Sequence, residues 1–249
     1  EVRPVDYVAD AEGARKQINS WVEDQTNDRI QNLIAEGVLN ALTRLVLVNA
    51  IYFKGKWASQ FKADLTHSAP FTLRDGSSVD VPMMTQTGDF KLAETEALQA
   101  LELPYEGDDL SMIILLPTPG KPLKLVPPET LEFHEQEVRV QLPKFKIESS
   151  FGLNSTLKEM GMPLAFDPDQ ADFSGMDGAR NLYIGAVVHK AFVDINEEGT
   201  EAAAATGVVM LTRASTPTRF IANRPFLFLI RENRTGTTLF MGRVMDPRS

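Results

Sequence analysis

The chain has 249 residues, with 25 basic and 34 acidic side chains, a formal charge of −9 and a pI near 4.9. That balance argues against a general nucleic-acid surface, and no apolar run approaches the ~20 residues of a membrane-spanning helix. There is no cysteine, so disulfides, thiol catalysis and cysteine-held metals are excluded, while the redox compartment stays open.

In chain order, residues 10–24 place Ala14, Ile18, Trp21 and Val22 on one stripe, with Arg15, Lys16 and Glu23 outside it. This spacing predicts an amphipathic helix. A polar linker runs to Leu42, with a short helix expected around Ile30 to Ile34. Leu45 to Phe53 is nearly continuous apolar sequence and reads as a central strand covered on both faces. Asn49 interrupts it, and a satisfied core amide is the plain reading. Asp75-Gly76 is a hairpin signal between Phe71-Thr72-Leu73 and Val79-Asp80-Val81. Phe90–Leu92, Leu98–Leu103 and Leu110–Leu116 are further strands. Residues 117–136 hold Pro117, Pro119, Pro122, Pro127 and Pro128, which rule out a long continuous helix. Val138–Ile147 alternates as a strand broken by Pro143, and Phe151–Met160 reads as a short helix. Phe226–Ile230 and Thr238–Val244 form a C-terminal hairpin around Asn233–Gly236, both arms apolar enough for a sheet interior. No internal repeat is present, and the pattern is that of one domain of mixed α and β type.

Enzyme chemistry finds little support. The three histidines, His67, His134 and His189, include no pair at helical ligand spacing, so no metal is expected. There is no Gly-x-Ser-x-Gly elbow, no Gly-x-x-x-x-Gly-Lys phosphate loop and no dinucleotide fingerprint, so no cofactor is expected either. Asn154-Ser-Thr156 and Asn233-Arg-Thr235 match the glycosylation pattern, with chance matches in surface loops the simpler reading.

One stretch differs from all of this. Val187, His189, Ala191, Val193 and Ile195 share one face of a strand by period two, and the strand runs into Glu197-Glu198-Gly199, four alanines and a β-rich segment ending at Pro217. Ala202 to Ala205 have too little bulk to anchor a loop, yet Val208, Val209 and Leu211 favour extended structure. The segment is suited to two states.

Glu197-Glu198-Gly199-Thr200-Glu201-Ala202-Ala203-Ala204-Ala205 resembles the hinge of inhibitory serpins, the conformationally trapping protease inhibitors. Val48 to Trp57, Leu142-Pro-Lys-Phe145, Asp172 to Met176, Val188-His-Lys190, Asn223 to Phe226 and Phe240 to Arg243 resemble serpin signatures in serpin order, covering nearly the whole chain. The resemblance implies an α+β serpin fold over 1–249, with mixed β-sheets, surrounding helices and a mobile reactive-centre loop at about 197–219. Relative to that family the start at Glu1 reads as a cut, with an N-terminal region lacking, and residues 117–136 are shorter than usual.

By the family's hinge-to-scissile spacing, the reactive bond is Arg213–Ala214, and the implied partner is a serine protease preferring arginine. Asn49 and His189 become a latch between neighbouring strands that must later separate, while Trp57 and Lys144 lie where the loop enters the sheet, with Lys144 pairing Glu197. The resemblance further implies a monomer that can polymerise by loop insertion, and favours a secreted location. No nucleic acid, membrane, metal or cofactor is implied, and the expected activity is inhibition rather than catalysis. A non-inhibitory carrier or chaperone serpin, or an inactive cleaved fragment, are the alternatives.

Overall fold

A computed structural model describes residues 2–200 and 216–248. Among these the strands are β1 (Leu45–Tyr52), β2 (Gly55–Lys56), β3 (His67–Thr72), β4 (Ser78–Glu94), β5 (Leu98–Pro104), β6 (Leu110–Pro117), β7 (His134–Pro143), β8 (Phe145–Gly152), β9 (Ile184–Ile195), β10 (Gly199–Thr200), β11 (Thr218–Ile221), β12 (Phe226–Glu232) and β13 (Thr238–Val244); the helices are α1 (Tyr7–Gln25), α2 (Asn154–Glu159) and α3 (Ser174–Asp177). The chain divides into two compact units, Glu1–Phe53 with Ile147–Val193, and Lys54–Lys146 with Asp194–Ser249.

In the first unit α1 has two starts. Asp6 caps the first, accepting from the Val8 and Ala9 amides. Asp10 then leaves helical geometry (φ −154°, ψ 81°), and its carboxylate accepts from the Gly13 amide at 2.7 Å. A short acidic side chain outside helical φ/ψ satisfies the amides that a helix start leaves open. The helix expected from residue 10 therefore begins there, one turn after an added N-terminal segment. Ala14 and Val22 are buried as the stripe predicts.

No helix forms around Ile30 to Ile34. Asn27, Asp28 and Asn32 adopt positive φ (49°, 59° and 49°), which interrupts any right-handed run. The Asn19 side chain holds the Ile34 peptide instead, donating to its carbonyl at 3.0 Å and accepting from its amide at 2.9 Å. Ile30, Leu33 and Ile34 are buried all the same, packed with α1 against the face of β1 that carries Val46, Val48, Ala50 and Tyr52.

The sheet of this unit has the order β1-β9-β8. β1 lies at its edge and is not covered on both faces: Leu47 and Asn49 are exposed. An apolar sequence reports what a strand can bury, and the covering element decides whether it does. β9, flanked on both sides, is the better buried strand. Of the face expected to be shared, Val187, Val193 and Ile195 are buried but His189 and Ala191 only half-buried, and Ala186, Lys190 and Phe192 on the opposite face are buried too, because β9 is covered on both faces.

In the second unit an eight-stranded sheet runs β11-β7-β4-β5-β6-β12-β13, with β3 paired to β4. The Asp75-Gly76 turn joins β3 to β4 as expected, with Phe71 opposite Val79 and Gly76 at φ 85°. Phe90–Leu92 is the end of one 17-residue strand that also includes the returning hairpin arm. The proline-rich stretch holds a single 3-10 turn, Pro128–Thr130. β7 ends at Pro143 and β8 begins at Phe145, each in a different sheet.

The C-terminal hairpin forms, but only β12 is interior. β13 is the edge strand, and its Leu239 and Met241 are exposed. Gly242 leaves room for the β12 side chain Phe228: a Cβ there would fall 2.3 Å from the Phe228 ring. Gly242→Ala should cost about 1–3 kcal/mol, because an added methyl in a packed core forces the ring aside. Gly152→Ala, with no atom within 4 Å of its Cβ position, should leave the urea midpoint nearly unchanged. Equal midpoints for the two variants would contradict this packing.

Candidate functional site

The segment leaving β9 is held by its backbone. Asn196 and Gly199 exchange hydrogen bonds at 3.0 and 3.2 Å, and the Asn196 carboxamide accepts from the Glu198 amide at 3.1 Å. This closes a tight turn whose last residue has φ 130°. Only glycine suits that position, both for its φ and because a Cβ would lie 2.2 Å from the Gly55 carbonyl oxygen. Gly199 and Thr200 then form β10, antiparallel to β2, with Gly199 opposite Lys56 and Thr200 opposite Gly55.

Three successive carbonyls of this turn are captured from one side. The Trp57 indole donates to Asn196 at 3.0 Å, the Phe61 amide to Glu197 at 2.9 Å and the Trp57 amide to Glu198 at 3.0 Å. Trp57 is itself fixed by stacking on Tyr105, with centroids 4.6 Å apart and planes at 12°, and by the edge of Phe61. A buried indole with its N–H satisfied is a rigid platform.

Glu197 is the charged member of the turn. Its carboxylate lies 2.8 Å from Lys144 Nζ and accepts from Thr66 Oγ1 at 2.8 Å. Burial acts to raise its pKa, but the Lys144 bond, with help from backbone and Thr66 donors, outweighs burial and holds it below the ordinary glutamate value. Lys144 occupies the one-residue break between β7 and β8, so Pro143, by ending a strand, frees the next side chain to reach Glu197.

In the first unit Asn49 of β1 and His189 of β9 are direct partners in a parallel register. Their backbones meet, but among the described residues no side-chain hydrogen bond joins them. Asn49 is exposed, and the His189 ring stacks on Phe151 with centroids 6.1 Å apart. Glu197, Glu198 and Gly199 are therefore brought to Trp57 and Lys144, and Asn49 is brought to His189. Glu201, Ala202, Ala203, Ala204, Ala205, Arg213 and Ala214 lie outside the described residues.

Thr66 and Asn196 were not legible as part of this site, since an isolated threonine or asparagine carries no signal of a partner more than a hundred residues away. Gly55 did carry one: a glycine inside a strand marks a close backbone approach. Both glycosylation-pattern asparagines are internally engaged. Asn154 donates to the Gly185 carbonyl and accepts from the Val187 amide, and Asn233 donates to the Asp108 carbonyl and accepts from Ser111.

The Glu197 environment sets a pH dependence. A carboxylate with a lowered folded-state pKa contributes stability at pH values above about 4.5, its ordinary value, and loses that contribution as pH falls through the folded value. Glu197→Gln should lower the urea midpoint at pH 7, and the gap to the parent should narrow at pH values well below 4.5. A gap independent of pH would rule out the ionised pair as its source.

The description of the family model that matches residues 1–247 is "Serpin (serine protease inhibitor)". The chain is 44% identical to antithrombin-III of Mus musculus, over 99% of its own length and 56% of that protein's. It is also 44% identical to the leukocyte elastase inhibitor of Homo sapiens, over 99% of its own length and 70% of that protein's. The crystal structure of native protease nexin-1 with heparin superposes with a TM-score of 0.87 at 37% identity, covering 99% of this chain and 69% of that one. The chain thus spans just over half to about two thirds of these relatives, and the turn that follows β9 coincides with the stretch first singled out by its sequence. It belongs to the serpin family, with the α+β serpin fold.

Proposed function

We propose that this chain is part of a suicide-substrate inhibitor of serine proteases, with Arg213–Ala214 as the bond offered for cleavage. The protease attacks that bond as a substrate and forms an acyl-enzyme. The freed arm from Thr200 to Thr212, ~43 Å long at ~3.3 Å per residue, then enters between β1 and β9. The attached enzyme is carried away and distorted before water completes hydrolysis. The chain itself contributes no catalytic group.

The observation that carries this reading is the geometry at the end of β9. β1 and β9 run parallel and pair directly over Leu45–Tyr52 and Ile184–Phe192, and β9 is followed at once by the tight Asn196–Gly199 turn. An arm leaving such a turn and folding back would run antiparallel to β9, and hence to β1. One parallel interface would be exchanged for two antiparallel ones, and antiparallel ladders are the more stable per residue. Each net hydrogen bond gained is worth ~1 kcal/mol. The four alanines that follow offer no steric resistance to entry, and Ala202 to Ala205 include none of the bulky, charged or proline side chains that would obstruct it. The name of the leukocyte elastase inhibitor supports a protease as partner.

Arginine at the cleaved position suits enzymes whose specificity pocket holds a buried aspartate. Titration with trypsin should yield a one-to-one complex that survives SDS, with the loop cut after Arg213. Arg213→Leu should abolish trapping of trypsin and admit chymotrypsin-like enzymes; undiminished trypsin trapping would place the reactive bond elsewhere.

Period two makes Thr200 the first hinge residue to face the core of the opened sheet. Thr200→Arg places an unpaired charge in that slot, at a cost on the order of 3 kcal/mol or more. Acylation should proceed while insertion slows, so the variant is cleaved as a substrate and active trypsin is released. Retained covalent trapping by this variant would overturn insertion through the hinge.

A further inference from the structure

We propose that the cavity between β5, β6 and the proline-rich stretch after β6 binds a small amphiphilic carboxylate, its apolar tail against Leu98 and Leu115 and its charge at Lys121 and Lys124. One face of the large sheet carries the buried residues Ala93, Leu98, Ala100, Ile113 and Leu115, and the chain beyond β6 lays Leu123, Val126, Leu131 and Phe133 against it. Prolines keep that cover thin, because residues between Pro122 and Pro127 cannot extend into a helix. Leu123 and Val126 are half-buried, while Lys121, Pro122, Lys124 and Leu125 are exposed. Such a period of three belongs to an extended chain without internal hydrogen bonds. The stretch is tied at its start, where the Thr118 amide donates to the Ala97 carbonyl at 2.8 Å and Arg224 Nε to the Pro117 carbonyl at 2.7 Å. Residues 122–126 make no backbone hydrogen bond among the described residues, so side chains alone seat them on the sheet.

One inward side chain in three does not fill the space beneath. The buried Leu98 and Leu115 line a cavity of about 200 Å³ together with Pro117, Pro122 and Val126, and Lys121 and Lys124 complete its wall. An apolar cavity of ~150 Å³ holds the six carbons of benzene, so about 200 Å³ suits a tail of roughly eight. The lysines supply the other half of the ligand. Neither makes an ion pair or a side-chain hydrogen bond among the described residues, in a chain with 34 acidic side chains against 25 basic ones. An apolar slot with a few charged groups at one side orients a ligand that has both characters. A neutral apolar molecule would leave the ammonium groups unused, and a small inorganic anion would leave the cavity unfilled. The site shares no residue with the Trp57–Lys144–Glu197 turn or with Arg213–Ala214, so it stands independently of the trapping mechanism.

Methyl NMR of the intact protein, titrated with octanoate, tests the site. Octanoate should shift the Leu98 and Leu115 methyls saturably, leave Leu33 in the other unit unmoved, and raise the melting temperature by mass action. Acetate, which lacks the tail, and 1-octanol, which lacks the charge, should each bind about tenfold more weakly or worse. Lys121→Gln combined with Lys124→Gln should weaken octanoate about tenfold and leave 1-octanol unchanged. Val126→Phe, which fills the cavity, should abolish the octanoate shifts. Leu98 and Leu115 methyls that do not move with octanoate would overturn the site, as would shifts of equal size at Leu33. Octanoate affinity unchanged by the double lysine variant would overturn the role of the charge and with it the proposal; both lysines are exposed, so that variant decides the matter even if Val126→Phe folds poorly.

Discussion

The direct parallel ladder between β1 and β9, eight register pairs from Leu45↔Ile184 to Tyr52↔Phe192, is the constraint on which the rest of the molecule depends. Parallel strands cannot be joined by a tight turn, so their pairing is made across more than a hundred residues of intervening chain and is slightly weaker per residue than an antiparallel one. Directly after β9 the chain makes a tight turn, closed between Asn196 and Gly199, and passes into β10, which pairs with β2. β1 and β9 pair directly over this length, with one irregularity between Leu45 and Val46.

What holds that segment at its start is mostly backbone. The carbonyls of Asn196, Glu197 and Glu198 are taken by Trp57 and Phe61 donors, and Gly199 is pressed so close to Gly55 that no side chain could occupy its place. The single charged clasp, Glu197 with Lys144 and Thr66, is half sheltered, and its hydrogen bonds offset the burial of the carboxylate. Each contact is modest, but they converge on four residues.

The first unit shows the same division between packing and anchoring. The apolar stripe of α1 and the residues Ile30, Leu33 and Ile34 provide burial, while Asn19 and Lys190 provide position. A buried amide or ammonium is costly unless fully paired, so each of these polar groups selects one placement of residues 30–34 from the many that hydrophobic burial alone would accept.

Local pattern in the sequence determined the elements that depend on local physics. The strand β9, the Asp75-Gly76 turn, the strand break at Pro143 and the stripe of α1 were legible because backbone periodicity and proline or glycine geometry act over a few residues. The serpin motifs carried the family, and with it the pairing of Lys144 with Glu197 and the adjacency of Asn49 and His189. Tertiary structure alone decided the rest. Leu45–Tyr52 is as apolar as a fully covered strand, but among the described residues Leu47 and Asn49 are exposed; Thr238–Val244 is likewise an edge there, with Leu239 and Met241 exposed. Ile30–Ile34 has helix-compatible residues, but left-handed Asn27, Asp28 and Asn32 and the distant Asn19 amide hold it otherwise. Burial and long-range hydrogen bonds belong to pairs of segments, so a property of one segment cannot announce them, and Thr66 reaching Glu197 across 131 positions is known only once the chain has folded.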